Sequence, residues 1–512
     1  MKHSRLVSQG SLNRMLREAD DAWKRYDFPA AIETVKRASR LDPSNARLLL
    51  SLGRMYGLHF DYATAEKCFE QAVRVAIQKS ETLTIAGQYS YDFGNYSMAE
   101  NYLRRALKEK NLPTILVKLA EVFERLRRSE EATDLVQQAL KIDPACASAL
   151  LSSARLNRQA KQLETAETLL RNFPSNADPA LRASAAYQLG DILDRQGRYS
   201  EAMAAFFEAK AMLKPLAAQP IAELKVMRAR INHLIANISS DKLKQWTAIA
   251  NLFQPIHKIV LLGGHPRSGT TLLEQVLDSH PDIISAEETE NFFNYAYGPL
   301  LRGHSDNTAM FEALTATTFS ALQQARKNYY YAMESSLGKP LNERLLIDKN
   351  PSYTFLIPAF IRIFPETKFL IALRDPRDVV LSCFMQNLPL NQVGAAYLTL
   401  ESTAEEYTAL MGVWQTIVPL MSSPFLEIRY EDMVENLESV ARKTLDFLGI
   451  SWNTQVLGFD EHARKRTVRS PTYADVTQPV YKRAVGRWQH YQKYLEPCLT
   501  KLKPFIKAFG YE

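Results

Sequence analysis

Leu261-Leu262-Gly263-Gly264-His265-Pro266-Arg267-Ser268-Gly269-Thr270-Thr271 follows the apolar run Ile259 to Leu262 and leads into Leu272-Leu273-Glu274-Gln275-Val276-Leu277. The order reads as strand, glycine-bearing loop and helix. Such a loop points several backbone N–H groups and a helix N-terminus at one spot, which favours a phosphate or sulfate. The spacing Gly264-x4-Gly269 followed by Thr270-Thr271 nearly matches the nucleotide-triphosphate loop G-x4-G-K-[ST], with Thr270 where that motif requires Lys. A positive charge comes instead from inside the loop, from Arg267. The stretch reads as a phosphate cradle adapted to something other than ATP or GTP hydrolysis.

Downstream, strands alternate with helices. Asp278-Ser279-His280-Pro281 ends the first helix, Ile283-Ile284-Ser285 is a short strand, and Glu287-Glu288-Thr289-Glu290 follows it. Helices are expected from about 308 to 337, then a strand through Leu345-Leu346-Ile347 that ends in Asp348-Lys349-Asn350-Pro351. Lys368-Phe369-Leu370-Ile371-Ala372-Leu373 is a continuous apolar run, as in a buried parallel strand, and Arg374-Asp375-Pro376-Arg377-Asp378 leaves it to start a helix. Phe425 to Tyr430 is a later strand, followed by a helix from Val434 to Leu448. This alternation predicts a parallel α/β sheet, whose ligands bind beyond the carboxyl ends of the strands. Arg267, Glu288, Lys349 and Arg374 all fall just after predicted strands, so one cleft could collect them.

Upstream, a pattern of alanine, a large apolar residue four positions on, and Ala or Phe three further on recurs. Its members are Ala31/Val35/Ala38, Ala65/Phe69/Ala72, Ala99/Leu103/Ala106, Ala132/Val136/Ala139, Ala166/Leu170/Phe173 and Ala202/Phe206/Ala209. The first alanines lie 34, 34, 33, 34 and 36 residues apart, the period of a helix-turn-helix repeat. Leu52-Gly53 and Leu189-Gly190 sit where a first helix packs, while Leu41-Asp42-Pro43 and Ile142-Asp143-Pro144 end second helices. The segment resembles tetratricopeptide repeats, about six of them over 12–215. Such a solenoid offers a concave face to extended segments of other proteins. Residues 216–255 are expected to form a helical cap and linker, and 256–512 a second domain.

With 512 residues, two or three domains are expected. Cys68, Cys146, Cys383 and Cys498 are widely separated, which argues against a zinc site or disulfide framework and for a reducing compartment. The N-terminus shows no apolar leader and no window is long and apolar enough to span a bilayer, so a cytoplasmic chain without membrane contact is expected. The formal net charge of +7 suits an anionic ligand. No basic tail or nucleic-acid motif accompanies it, so nucleic acid is not expected as a partner. The oligomeric state is not legible.

Pro266-Arg267-Ser268-Gly269-Thr270-Thr271, Glu287-Glu288-Thr289, Asp348-Lys349-Asn350-Pro351 and Arg374-Asp375-Pro376-Arg377 with Ser382 together resemble the tyrosylprotein sulfotransferases and their bacterial relatives bearing tetratricopeptide repeats. The resemblance covers about 255–490. It implies an all-α tetratricopeptide solenoid followed by an α/β, P-loop-like sulfotransferase domain with a parallel sheet. It also implies a donor, 3′-phosphoadenosine-5′-phosphosulfate, and transfer of its sulfuryl group to an acceptor hydroxyl, with protein or peptide tyrosine as the leading acceptor. By the same resemblance Arg267, Ser268, Gly269, Thr270 and Thr271 hold the 5′-phosphosulfate, Arg374 and Ser382 hold the 3′-phosphate, and Tyr430 lines the donor pocket. Thr472 falls where the family has a hydroxyl near the sulfuryl group, and Arg487 where it has a basic residue for the donor; Thr replaces Ser and Arg replaces Lys. Glu288 takes the family's place of general base.

The chemistry is consistent with those residue types. Sulfuryl transfer resembles phosphoryl transfer, in which the protein positions an in-line attack and neutralises charge on the leaving group. Arg267 and Lys349 suit that neutralisation, and a carboxylate such as Glu288 suits removal of the hydroxyl proton. No metal is implied, because no His/Cys cluster or acidic quartet demands one. Two other functions fit less well: a nucleotide-dependent kinase or NTPase, disfavoured by Thr270, and an inactive scaffold recruiting proteins through its repeats.

Overall fold

Ala31, Ala65, Ala99, Ala132, Ala166 and Ala202 have no exposed surface, and each lies on the second helix of a helical pair. The computed structural model describes residues 9–253, 257–302, 309–465, 480 and 482–512. First helices are Gln9–Lys24, Ala46–Leu58, Lys79–Asp92, Pro113–Arg125, Ala147–Gln159 and Pro179–Arg195. Their partners are Phe28–Leu41, Tyr62–Val75, Tyr96–Glu109, Ser129–Ile142, Leu163–Arg171 and Tyr199–Leu213. Alanine is required where backbones approach, and the large residue one turn on fills the groove. Phe69, fully buried, lies so close to the preceding helix that a Cβ on Gly53 would stand 2.4 Å from its ring. The Leu-Gly pairs of the first helices are therefore steric requirements of the second.

The chain divides into two compact units, Met1–Ala209 and Lys210–Glu512. The stretch 216–255, expected as cap and linker, lies within the second. It forms helices Ala218–Asn237 and Ser240–Thr247. Arg228 pairs there with Glu406 at 2.8 Å, and Trp246 is buried.

Among the described residues five strands form the sheet of the second unit: β1 (Ile259–Gly264), β2 (Ile283–Ser285), β3 (Leu345–Lys349), β4 (Lys368–Leu373) and β5 (Phe425–Arg429). Their order is β2-β3-β1-β4-β5, and every pairing is parallel. The apolar runs of β1, β3 and β4 are buried on both faces, as a sheet covered by helices on each side requires. In register, Leu262 faces Lys349 and Gly264 faces Ala372. The carboxyl ends of the three central strands are thereby level, and the segments after them leave the sheet along one edge.

The helix expected from Val434 to Leu448 is two helices, Tyr430–Glu435 and Leu437–Leu448. Asn436 breaks it by turning its side chain back to accept from the N–H of Ser439, so it caps the second helix rather than continuing the first. Among the described residues no helix is long and apolar enough to cross a membrane.

Candidate active site

The loop after β1 owes its shape to two left-handed residues. Ser268 donates its N–H to the His265 carbonyl at 3.1 Å, and it stands between Arg267 at φ 74° and Gly269 at φ 92°. Left-handed residues beside right-handed ones turn successive N–H groups to one side and make a concavity for an anion. Helix Thr270–Asp278 begins directly after Gly269, and its first turn adds N–H groups with no acceptor in the helix. A Cβ on Gly269 would lie 2.5 Å from Cδ2 of Tyr430, so the Tyr430 ring forms the wall against which the loop closes. Behind the loop, burial pushes the His265 imidazole down to about 4. The ring is neutral there, with Nδ1 donating to the Pro266 carbonyl at 2.9 Å.

Two guanidinium groups converge on this loop. Arg267 Nε donates to Ser382 Oγ at 3.1 Å. Arg374 Nη1 donates to the Arg267 carbonyl at 3.0 Å and Nη2 to the Ala484 carbonyl at 2.5 Å. Its Cζ lies 5.0 Å from the centre of the Tyr430 ring. Arg374 Nε is buried with no hydrogen-bond partner among the described residues. Helix Pro376–Phe384 carries Ser382 and also Asp378, which accepts from the N–H groups of Gly486 and Trp488, both at 2.8 Å. Those two bonds fix the backbone on either side of Arg487, whose side chain is partly buried. Arg377 pairs with Asp375 at 2.7 Å and lies 3.9 Å over the Trp488 ring.

A second cluster lies at the end of β3. Lys349 has no exposed surface, and its Nζ donates to Glu288 Oε1 at 2.8 Å. It also stands 3.2 Å from Oε2 of Glu274, which is fully buried. Burial opposes the ammonium's charge, but the carboxylates of Glu274 and Glu288 outweigh it and hold the proton above the usual lysine range. The side chain of Glu288 is more than a third exposed, so it is the member of the cluster that faces outward. Next to it Asn350 donates from Nδ2 to the Thr289 carbonyl at 3.1 Å, and Tyr353 donates to the same oxygen at 3.1 Å. These bonds set the course of the 287–290 segment.

The structure thus brings Arg267, Ser382, Arg374, Tyr430 and the loop 268–271 into one group, and Lys349 with Glu288 into another. Helix Thr270–Asp278 joins them, with the loop at its N-terminus and Glu274 on its buried side. Thr472 lies outside the described residues. Sequence reasoning passed over Glu274, which shares the polar side of its helix with Thr270, Thr271 and Asp278 and so gives no sign of its burial. The bonds of Asp378 to Gly486 and Trp488 are structural in kind while serving the Arg487 segment. A mostly apolar cavity, lined by Leu224, Met227, Ile231, Phe355, Tyr397 and Leu410 among others, contains none of the expected site residues.

The sulfotransferase family model matches residues 260–454. The tetratricopeptide-repeat model matches 16–74, 84–145 and 117–180, and a second such model matches 183–210. An uncharacterised protein of Aquifex aeolicus (strain VF5) is 25% identical over 400 residues, 77% of this chain and 50% of its own length, so the chain spans half of that relative. Protein-tyrosine sulfotransferase 1 of Danio rerio is 28% identical over 267 residues, 50% of this chain and 72% of its own. The sulfotransferase domain of the Synechococcus PCC 7002 olefin synthase aligns at TM-score 0.32 and 23% identity over 46% of this chain and 90% of its own. The chain carries tetratricopeptide repeats in its N-terminal part and, in its C-terminal part, a domain of the sulfotransferase family.

Proposed function

We propose that the second unit transfers a sulfuryl group from 3′-phosphoadenosine-5′-phosphosulfate to the hydroxyl of a protein or peptide tyrosine. The observation that carries this reading is the pairing of a lysine-free phosphate loop, which contains Arg267 and is approached by Arg374, with the Lys349–Glu288 pair at the carboxyl end of the neighbouring strand. The Nε of Arg374, without a partner among the described residues, and the two left-handed residues of the loop fit a ligand with two anionic groups. When bound, the donor supplies an activated sulfuryl group on a phosphate leaving group.

In this reading the N–H groups of Gly269, Thr270 and Thr271, the Ser268 hydroxyl and the Arg267 side chain receive the 5′-phosphosulfate, while the Ser268 N–H stays on the His265 carbonyl and holds the turn. Arg374 and Ser382 receive the 3′-phosphate by charge-assisted bonds. Tyr430 supplies an apolar wall. Thr472 and Arg487 are assigned to the donor by resemblance. Glu288 takes the acceptor's proton, and it alone of the Lys349 cluster reaches solvent. Lys349 neutralises charge near the transferred group, and since it has no exposed surface it does so only as Glu288 gives way. The concave face of the repeats receives the protein that bears the acceptor.

Thermal-shift titration with adenosine 3′,5′-bisphosphate and with ATP tests the donor assignment. The bisphosphate is expected to raise the melting temperature with concentration and ATP to leave it nearly unchanged. A larger shift with ATP would return the domain to nucleotide hydrolysis. Mass spectrometry of proteins incubated with the donor then reads the acceptor, as a mass gain of one SO3 group on tyrosine.

A further inference from the structure

Glu274 is a carboxylate with no exposed surface on the helix that carries the phosphate loop. It is fixed from one side by Ser285, at the end of β2, whose Oγ donates to its Oε1. Its other oxygen faces Lys349 Nζ at 3.2 Å without an aligned hydrogen bond. The contact is therefore ionic, whereas Lys349 Nζ makes its hydrogen bond to Glu288 Oε1, 2.8 Å away.

We propose that Glu274 is a positioning residue for sulfuryl transfer, acting through Lys349, which it holds from behind while Glu288 works in front. The inference rests on the reading above, in which Lys349 and Glu288 act at the reacting groups. An ammonium is a point charge on a flexible stem and takes its place from its partners. Glu288 is a poor anchor, being partly exposed and, as base, neutral once it has taken the acceptor's proton. A buried ammonium that loses its only counterion is strongly disfavoured. Glu274 removes that difficulty: its charge stays beside Lys349 when Glu288 is protonated, so Lys349 keeps its position while Glu288 moves or changes charge.

The test is a double-mutant cycle in the full chain, combining Glu274→Gln, which keeps the shape and removes the charge, with Lys349→Met. On its own, Glu274→Gln is expected to lower kcat for a tyrosine peptide by about ten- to a hundredfold, as misplacement of a reacting group does. Calorimetric affinity for adenosine 3′,5′-bisphosphate, which lacks the sulfuryl group, should stay near that of the unaltered chain. In the Lys349→Met background Glu274→Gln should leave the residual kcat where it was. The melting temperature gives a second reading that needs no turnover. Glu274→Gln should lower it in the unaltered chain and raise it beside Lys349→Met, where the carboxylate is a buried charge without its cation. Equal losses of kcat in both backgrounds, or a temperature shift of the same sign in both, would make Glu274 a packing residue and overturn the proposal. Full turnover in Glu274→Gln beside a crippled Lys349→Met sinks the proposal alone, whereas full turnover in Lys349→Met sinks the reading on which it rests, and the proposal with it. If Glu274→Gln does not fold, Ser285→Ala frees the same carboxylate and takes its place: a fall in kcat that vanishes beside Lys349→Met supports the proposal, and no fall overturns it.

Discussion

Arg374 spends its hydrogen bonds on backbone carbonyls of Arg267 and Ala484, and among the described residues its Nε has no partner and stands as a reserve. If that reserve is for a 3′-phosphate, Arg374→Ala should weaken adenosine 3′,5′-bisphosphate by about 1.5–3 kcal/mol, the range for bonds to charged groups, and adenosine 5′-phosphate by much less. Calorimetry with both nucleotides decides it, and equal losses would assign Arg374 to holding the loop alone. Asp348, next to Lys349 but on the opposite face of β3, offers a pH test. Burial pushes its carboxyl up from 3.8 to about 7, against the hydrogen bond from Tyr329 and with help from the Glu274 charge. A carboxyl raised on folding is bound to its proton longer in the folded chain than in the unfolded one. Its contribution is therefore fully present at acid pH and is lost as pH rises from about 4 through about 7. Replacing Asp348 with Asn should remove that slope, so that the variant gains on the unaltered chain by roughly 2–3 kcal/mol between pH 5 and pH 8. Denaturant midpoints at the two pH values check it, and parallel profiles would show that Asp348 does not titrate in this window.

Within the repeats, the turn between the two helices of a pair follows one rule. Tyr26, Phe60, Gly94, Arg127, Lys161 and Gly197 all have positive φ, and they recur at the spacing of the alanines. After each, the next N–H reaches back to the preceding helix: Asp27 to Ala22, Asp61 to Tyr56, Asn95 to Ser90, Arg128 to Phe123, Gln162 to Asn157 and Arg198 to Leu193, at 2.8–3.0 Å. This is the left-handed C-terminal motif that glycine favours, yet four of the six positions carry a side chain. Lys161 is exposed, so Lys161→Gly should relieve backbone strain without loss of contacts and stabilise the array by about 0.5–1 kcal/mol. Gly197→Ala is the converse, since no atom lies within 4 Å of the added Cβ. It should destabilise by a similar amount through backbone conformation alone. Urea unfolding of both variants, followed by circular dichroism, measures the pair. A loss in Lys161→Gly would mean that the lysine side chain contributes more than its conformation costs.

At the scale of the whole molecule, a domain of the sulfotransferase family is joined to an array of some 200 residues, and the proposed transfer assigns none of its chemistry to that array. Tethering a protein near the cleft raises its effective concentration to roughly millimolar where the geometry permits. Truncation before Tyr199, which leaves helix Tyr199–Leu213 whole, is expected to preserve bisphosphate binding and turnover of a small phenol. It should also remove most of kcat/KM on a protein acceptor. Folding is checked first by thermal melt, because removal of neighbours exposes apolar surface. Equal efficiency on the protein acceptor would assign the repeats to assembly or stability.

The six-fold period, the phosphate loop and the all-parallel sheet are each written locally. Residues that repeat every 34 positions, or apolar runs followed by Gly, Ser and Thr, dictate backbone conformation through neighbours only a few positions away. The extended groups Glu288, Lys349 and Arg374 were legible for the same reason, since each ends or follows a strand. The break at Asn436 was less so, because whether its side chain caps the next helix or the chain runs on helically depends on a balance of about 1 kcal/mol. Placement of 216–255 was equally hidden, for apolar spacing gives the buried face of a helix and not the body that buries it. What folding alone decided is which charges meet. Glu288 could have paired with Arg267 on sequence grounds, but β3 lies next to β1 and sets Lys349 between Glu288, 61 positions away, and Glu274. A side chain's charge is fixed by its chemistry, whereas the partner that makes its burial possible is chosen by topology.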